Sequence, residues 1–211
     1  MIDMHTHILP GVDDGAKDMD EAIAMLKLLI EGGISTVVLT PHVGNSVQKV
    51  SRKRHQEIFE QLKQTVFELK LPISLILGAE VKYKRQMQHD YHAYTIGQTK
   101  YLLIEFSTTR EEPIEEICYN LLRQGLIPII AHAERYEYLT PEQVYEIRQE
   151  GTLIQVNISG LLGQDGKACK KRALQLRKNE LVDYIASDCH RLDYKRPDYS
   201  KIMPEGINKF K

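Results

Sequence analysis

Short apolar and β-branched runs recur along the chain at 1–4, 35–39, 73–77, 101–104, 127–131, 153–156 and 181–186. Runs of this length predict strands. Between most of them the apolar spacing shifts to the helical period. Asp18-Met19-Asp20-Glu21 has capping-box spacing ahead of Ala22, Ile23, Leu26, Leu29 and Ile30, and Gly32-Gly33 supplies the stop. Ile58, Leu62, Val66 and Leu69 predict a helix over 51–69. Pro113 fits a first helical position ahead of the stripe Ile114, Ile117, Cys118, Leu121 and Leu122, with Gly125 beyond. Thr140-Pro141-Glu142-Gln143 predicts another capped start closed by Gly151, and 167–178 is the last helical segment.

Strands alternating with helices of this length require parallel pairing through right-handed crossovers. The fold class expected is therefore α/β. Seven such strands fit an open doubly wound sheet or a barrel one strand short of the usual eight. No linker, low-complexity tract or internal repeat divides the chain, so residues 1–211 read as a single domain. Residues 83–100 are the least regular stretch and read as a long excursion between strands.

Composition works mainly by exclusion. With 42% hydrophobic and 27% charged residues, the chain has enough apolar content for a packed core and does not resemble a disordered segment. The 28 Lys and Arg balance 29 Asp and Glu, which removes the electrostatic footprint of a nucleic-acid binder. Cys118, Cys169 and Cys189 are odd in number and scattered, so a reducing, cytoplasmic setting is expected rather than a disulfide framework. The first residues have no basic-then-apolar leader, and the longest apolar stretches, such as 22–30, are too short to insert in a membrane.

The candidate chemistry lies at the strand ends. His5 and His7 follow the first strand at i, i+2, and Asp188 and His190 follow the last with the same spacing. Between them, His42 follows the second strand, Glu80 the third, Glu105 the fourth and His132 the fifth, while Asp14 lies in the loop Asp13-Asp14-Gly15. In parallel α/β folds the C-terminal strand ends form one rim. One histidine after a strand is most often a packed loop residue, and one carboxylate is most often a cap. Five histidines and four carboxylates on one rim are hard to produce that way. The set predicts a metal site without Cys, whose mixed N/O donors suit Mn2+, Fe2+ or Zn2+. Nine donors exceed one coordination sphere, so two or three ions are expected. His55, His89 and His92 do not fall at strand ends and are expected at the surface or in the excursion.

These residues carry a resemblance. His5-Thr6-His7, Asp13-Asp14-Gly15, Thr40-Pro41-His42, Gly78-Ala79-Glu80, Leu103-Ile104-Glu105-Phe106, Ala131-His132-Ala133-Glu134-Arg135 and Ala186-Ser187-Asp188-Cys189-His190 together resemble the PHP (polymerase and histidinol phosphatase) superfamily. Their order and spacing are most similar to the bacterial manganese-dependent tyrosine-protein phosphatases of capsule and exopolysaccharide operons. The opening H-x-H is widely shared, whereas H-x-E-R, S-D-x-H and D-D-G are jointly specific.

The resemblance implies a distorted (β/α)7 barrel with the metal site at the C-terminal strand ends. By position, His5, His7, Glu80 and Asp188 would hold one ion. Glu80 would bridge to a second held by Glu105 and His132, and Asp14, His42 and His190 would hold a third. Arg135 matches the family's phosphate-binding arginine. Arg196, before Pro197, is the candidate for a second, with Lys195 and Arg191 as alternatives. Relatives continue into a further C-terminal helix, and 202–211, with Pro204 and Gly206, reads as a short or missing version of it. The implied substrate is phosphotyrosine in a protein, namely the tyrosine-rich tail of a membrane-associated bacterial tyrosine kinase.

Elementary chemistry agrees. A phosphate monoester dianion repels nucleophiles, so charge must be neutralised and hydroxide supplied near neutral pH, which bound metal ions do. Arg135 can fork onto two phosphoryl oxygens as a lysine cannot. A phenolate leaves easily, and His42 or His190 could protonate it. No cysteine begins a C-x5-R loop, and no glycine-rich nucleotide loop is present. The run Lys49, Arg52, Lys53 and Arg54 reads as a solvated face at a helix start. The competing readings are a small-molecule phosphomonoesterase such as histidinol phosphatase, a PHP-type nuclease disfavoured by charge, and a non-catalytic metal-binding regulatory module.

Overall fold

The computed structural model describes residues 1–85 and 90–193. In chain order its elements are β1 (Ile2–Thr6), α1 (Met19–Glu31), β2 (Thr36–Leu39), β3 (His42–Val43), α2 (Arg52–Glu68), β4 (Ser74–Leu77) and β5 (Glu80–Lys82). They continue with β6 (Tyr101–Glu105), α3 (Ile114–Arg123), β7 (Ile127–Ile130), α4 (Pro141–Gln149), β8 (Leu153–Asn157), α5 (Ile158–Leu162), α6 (Lys167–Lys178) and β9 (Tyr184–Ala186). Short 3-10 turns occupy Tyr91–Tyr94 and Ala133–Arg135. Among the described residues no helix is long and apolar enough to cross a membrane.

Among the described residues all pairings are parallel, in the orders β1-β2-β4 and β3-β5-β6-β7-β8-β9. The two sheets meet because two predicted strands are interrupted. Thr40-Pro41 separates β2 from β3, where Pro41 has no N–H to give the ladder. Thr40 substitutes for it: its hydroxyl accepts the Thr6 N–H at 3.1 Å and donates to the Thr6 carbonyl at 3.1 Å. Gly78-Ala79 separates β4 from β5, and Gly78 packs so close to Ile96 and Val38 that a Cβ would lie 3.1 and 3.3 Å from them. On the other edge, Asp188 N–H donates to His5 O and His7 N–H to Cys189 O, both at 2.9 Å, which ties the chain after β9 to β1. The result is a curled parallel sheet.

Strand alternation gives the curl two apolar faces. Met4, Val38, Leu103, Ile129, Tyr184 and Ala186 fill its concave side together with Ile96. The larger core lies between the sheet and helices and takes Leu26 and Leu29 from α1, Leu62 from α2, and Cys118 and Leu121 from α3.

Local signals mostly act as expected, with several corrections. Thr140 and Gln143 form a reciprocal capping box on α4. At α1 the box is half made: Asp18 accepts Glu21 N–H, but the Glu21 carboxylate turns to Lys17 N–H and Leu192 N–H instead. Pro113 is the residue before α3, with ψ 70°, and not its first helical residue. The one-turn helix α5 was not expected, being too short to show a period; Gly163 ends it in the left-handed region at φ 85°. His55 is fully buried, not at the surface. Its place three, seven and eleven residues before Ile58, Leu62 and Val66 puts it on the apolar stripe of α2. The basic run is not a solvated face throughout. Arg52 donates to the carbonyls of Gly78 and Ala93 and lies over the Tyr94 ring, and Lys49 donates to the Asp13 carbonyl. His92 is exposed, as expected. His89, Lys195, Arg196 and the C-terminal segment 194–211 lie outside the described residues.

Candidate metal centre

His5, His7, His42, Glu80, His132, Asp188 and His190 come together at the C-terminal ends of the strands, all buried, while Asp14 stands exposed at the mouth. His5 Nε2 lies 3.2 Å from His7 Nε2. Each of these nitrogens is 3.4 Å from Asp188 Oδ1 and 3.5 Å from Glu80 Oε2. Glu80 sits at the centre, with His42 Nδ1 2.9 Å from Oε2 and His132 Nε2 2.8 Å from Oε1. Asp14 Oδ1 is 3.5 Å from His42 Nε2 and 3.7 Å from His190 Nε2.

The donors fall into three groups that could each hold an ion: His5, His7 and Glu80; His7, Asp14, His42 and His190; and His42, Glu80 and Glu105. The expected third set is therefore gathered with His7 added. Glu105 is grouped with His42 and Glu80, whereas His132 meets Glu80 from the other oxygen.

Partners behind the ring set the tautomers. His5 Nδ1–H donates to Gln155 Oε1 at 3.1 Å, His7 Nδ1–H to Asp13 Oδ2 at 3.0 Å, and His190 Nδ1–H to Asp188 O at 2.8 Å. These acceptors carry no proton, so all three rings turn the Nε2 lone pair inward, as a metal ligand requires. Gln155 Oε1 also accepts His132 N–H, and its amide donates to Asn157 Oδ1; the Asn157 amide donates in turn to Asp188 Oδ2. Asp3 accepts from Ser187 N–H and Ser187 Oγ–H, fixing the turn that delivers Asp188. Sequence reading missed Asp3, Asp13, Gln155 and Asn157, all fully buried. The available signal was their polar character inside or beside apolar strands.

The backbone is bent to the same end. His132 and Asp188 adopt φ of 34° and 51°, a left-handed conformation that non-glycine residues enter at a cost and that clusters at functional sites. Gly15 packs against His7, and a Cβ there would fall 1.9 Å from the His7 carbonyl oxygen. That contact explains the glycine of the D-D-G motif.

Electrostatics follow from burial and neighbours. Burial pushes the His5 and His7 pKa values down, but carboxylates outweigh it and both end raised: Glu80 and Asp188 for His5, Asp13 and Asp188 for His7. Burial raises Glu80, yet the His42, His5 and His132 rings hold it well below the usual carboxylate range. Burial and the Glu80 charge push Glu105 up against the pull of Lys82 and His42. Burial and Arg135 lower His132 to about 4. Glu80 Oε2 is buried and accepts no well-formed hydrogen bond among the described residues. An oxygen so placed among inward nitrogens fits a divalent cation. Arg135 completes the rim, its Nη2 lying 3.2 Å from Asp188 Oδ2 and 3.5 Å from Asp165 Oδ2.

Comparison with known proteins agrees with this geometry. The tyrosine-protein phosphatase YwqE of Bacillus subtilis is 33% identical over 198 residues, covering 91% of this chain and 78% of the relative. The tyrosine-protein phosphatase CpsB of Streptococcus pneumoniae is 33% identical over 210 residues, covering 94% and 86%. A solved structure from work on these two proteins, described as unique metal-dependent tyrosine phosphatases, superposes with a TM-score of 0.83 at 32% identity, covering 93% of this chain and 82% of that one. The family model for capsular polysaccharide synthesis, CpsB/CapC, matches residues 1–209, and this chain belongs to that family.

Proposed function

We propose that the chain is a metal-dependent protein-tyrosine phosphatase, a phosphoric monoester hydrolase acting in capsule or exopolysaccharide synthesis. The observation that carries this reading is the juxtaposition of the histidine–carboxylate rim with Arg135, 3.2 Å from Asp188. In this reading His5, His7, Glu80 and Asp188 hold one ion, Glu80, Glu105 and His132 a second, and Asp14, His42 and His190 a third, with Mn2+ the ion expected and Fe2+ or Zn2+ as alternatives. Divalent ions bound there supply Lewis-acid charge and lower the pKa of water toward about 7.

The chain's own groups do the rest. Arg135 binds the phosphoryl oxygens through its fork, held in aim by Asp165 and Asp188. Asp188 is shared between that arginine and the His5–His7 pair, so substrate binding and ligand geometry are coupled through one carboxylate. His42 or His190, beside Asp14, would return a proton to the leaving phenolate only where it is not committed to the third ion. Arg196 is proposed as a second phosphate ligand. Counting β2 with β3 and β4 with β5 as single interrupted strands supports the (β/α)7 description, with residues 1–211 as one domain. The expected substrate is the tyrosine-rich tail of a membrane-associated bacterial tyrosine kinase, met in the cytoplasm.

The test compares substrates. Purified protein with Mn2+ is expected to hydrolyse phosphotyrosyl peptides, to lose that activity in EDTA, and to turn over histidinol phosphate far more slowly. Preference for histidinol phosphate would establish the small-molecule reading, and no chelator-sensitive hydrolysis of either would refute a phosphatase.

A further inference from the structure

β5 carries a second charged side chain that the metal reading leaves unused. Glu80 and Lys82 stand at i, i+2 on this strand and so share a face. Lys82 is the direct partner of Glu105 in the parallel ladder of β5 with β6. Its Nζ lies 3.2 Å from Glu105 Oε1 and also donates to the carbonyl of Phe106, the next residue. An ammonium has three N–H donors. Two of Lys82's are committed to adjacent acceptors at the end of β6, which fixes the lysine head instead of letting it swing in solvent.

Glu105 needs such an anchor. It is the last residue of β6 and is only partly buried, unlike Glu80. Its other oxygen, Oε2, meets Asn45 Nδ2 at 3.5 Å, the outer limit of a hydrogen bond. Oε1 is thus held firmly and Oε2 loosely. Exposed lysine–carboxylate pairs are commonly worth little. This one is mostly shielded, with side-chain exposures of 23% and 14%, and is reinforced by the Phe106 carbonyl.

We propose that Lys82 is a positioning residue for the ion that Glu80 and Glu105 would share: it fixes Glu105 by Oε1 and leaves Oε2 for the cation. The inference rests on reading the rim as a metal centre. Partners that orient metal ligands typically change affinity by about 10–100-fold when removed. The effect belongs to one ion, because Lys82 touches none of His5, His7, Asp14 or His190 among its contacts in the described residues.

The experiment is Mn2+ titration of the full chain after EDTA treatment and desalting, followed by calorimetry and by EPR of free Mn2+. Lys82→Met and Lys82→Gln are expected to lose one bound ion, or to bind the weakest class about tenfold less tightly, while the remaining ions bind as in the wild type. Lys82→Arg, which keeps a cation able to reach Glu105, is expected to restore wild-type stoichiometry. Circular dichroism on each variant checks that the fold is retained, and two neutral replacements guard against one failing to fold. Wild-type number and affinity in both neutral variants would overturn the proposal, and so would tighter binding, which would make the ammonium merely repulsive. A wild-type chain that takes up no Mn2+, Fe2+ or Zn2+ would instead overturn the metal-centre reading itself.

Discussion

Asp13 and His7 are joined by a buried bond of 3.0 Å from His7 Nδ1–H to Asp13 Oδ2, and the same oxygen accepts the backbone N–H of His42 at 3.0 Å. Asp13 Oδ1 meanwhile accepts Gly15 N–H at 2.9 Å. One carboxylate outside the predicted ligand set therefore orients a ligand from each of two strand ends. Asp13→Asn keeps the size but puts an amide where one acceptor serves two donors. We expect Mn2+ affinity to fall about 10–100-fold with the fold retained. Unchanged affinity by calorimetry would show that His7 is oriented by its packing alone.

Gly15 makes a sharper structural claim. Because a Cβ would sit 1.9 Å from the His7 carbonyl oxygen, Gly15→Ala must move backbone on one side of that contact. The loop hydrogen bond from Ala16 N–H to His7 O would be disturbed with it. Strain of this kind costs about 1–3 kcal/mol. Thermal melting should show a clear loss for Gly15→Ala, and a variant as stable as the wild type would contradict the close approach.

The ligands were legible in the sequence because strand ends are: an apolar run followed by H-x-H or D-x-H marks both the element and the side of the sheet. Asp13, Gln155 and Asn157 were not, since nothing local distinguishes a buried polar residue that braces a distant ring from one that faces water. The strand breaks at Thr40-Pro41 and Gly78-Ala79 were hidden for a related reason. Each is a two-residue interruption whose ladder is repaired by tertiary contacts, those of Thr40 with Thr6 and of Gly78 N–H with Leu39 O. His55 is the instructive miss, because its helical spacing to Ile58 and Leu62 was available and its polar side chain argued against burial.

His55 yields a pH prediction. Among the described residues neither of its ring nitrogens has a hydrogen-bond partner, and burial together with Arg52 lowers its pKa to about 4. The unfolded chain binds this proton below about pH 6.5, whereas the native state resists it until about pH 4. In that window the unfolded state carries more protons, so stability falls as pH falls, by up to about 3 kcal/mol from this group. His55→Leu should flatten urea-denaturation stability between pH 6.5 and 4. An equal acid loss in the variant would assign it to other groups.

Arg135 separates charge from geometry. Arg135→Lys preserves the cation beside Asp188 and Asp165 but cannot fork onto two oxygens. We expect kcat/KM for a phosphotyrosyl peptide to fall about tenfold or more, equivalent to about 1.4 kcal/mol, with Mn2+ content unchanged. Loss of bound Mn2+ in this variant would mean that Arg135 serves Asp188 and the metal ligands, not the phosphate.

Metal removal joins the rim to stability and pH together. In the ion-free chain Glu80, Asp13 and Asp188 raise the pKa of His5 or His7 above the ordinary imidazole value, which favours protonation of these rings. A divalent ion needs their neutral Nε2 lone pairs and so competes with protons for them. Binding therefore releases protons, and apparent affinity rises with pH until the raised pKa values are passed. At an ion concentration one hundred times Kd, each site adds about 2.7 kcal/mol of stability. In a domain of this size that is a rise in Tm of about 5–10 °C per site. We expect EDTA to lower Tm by at least this much at pH 8 and by less at pH 6. A chelator-insensitive Tm at both values would remove the ion from the folded state, and an effect larger at pH 6 would reverse the proton linkage assigned to His5 and His7.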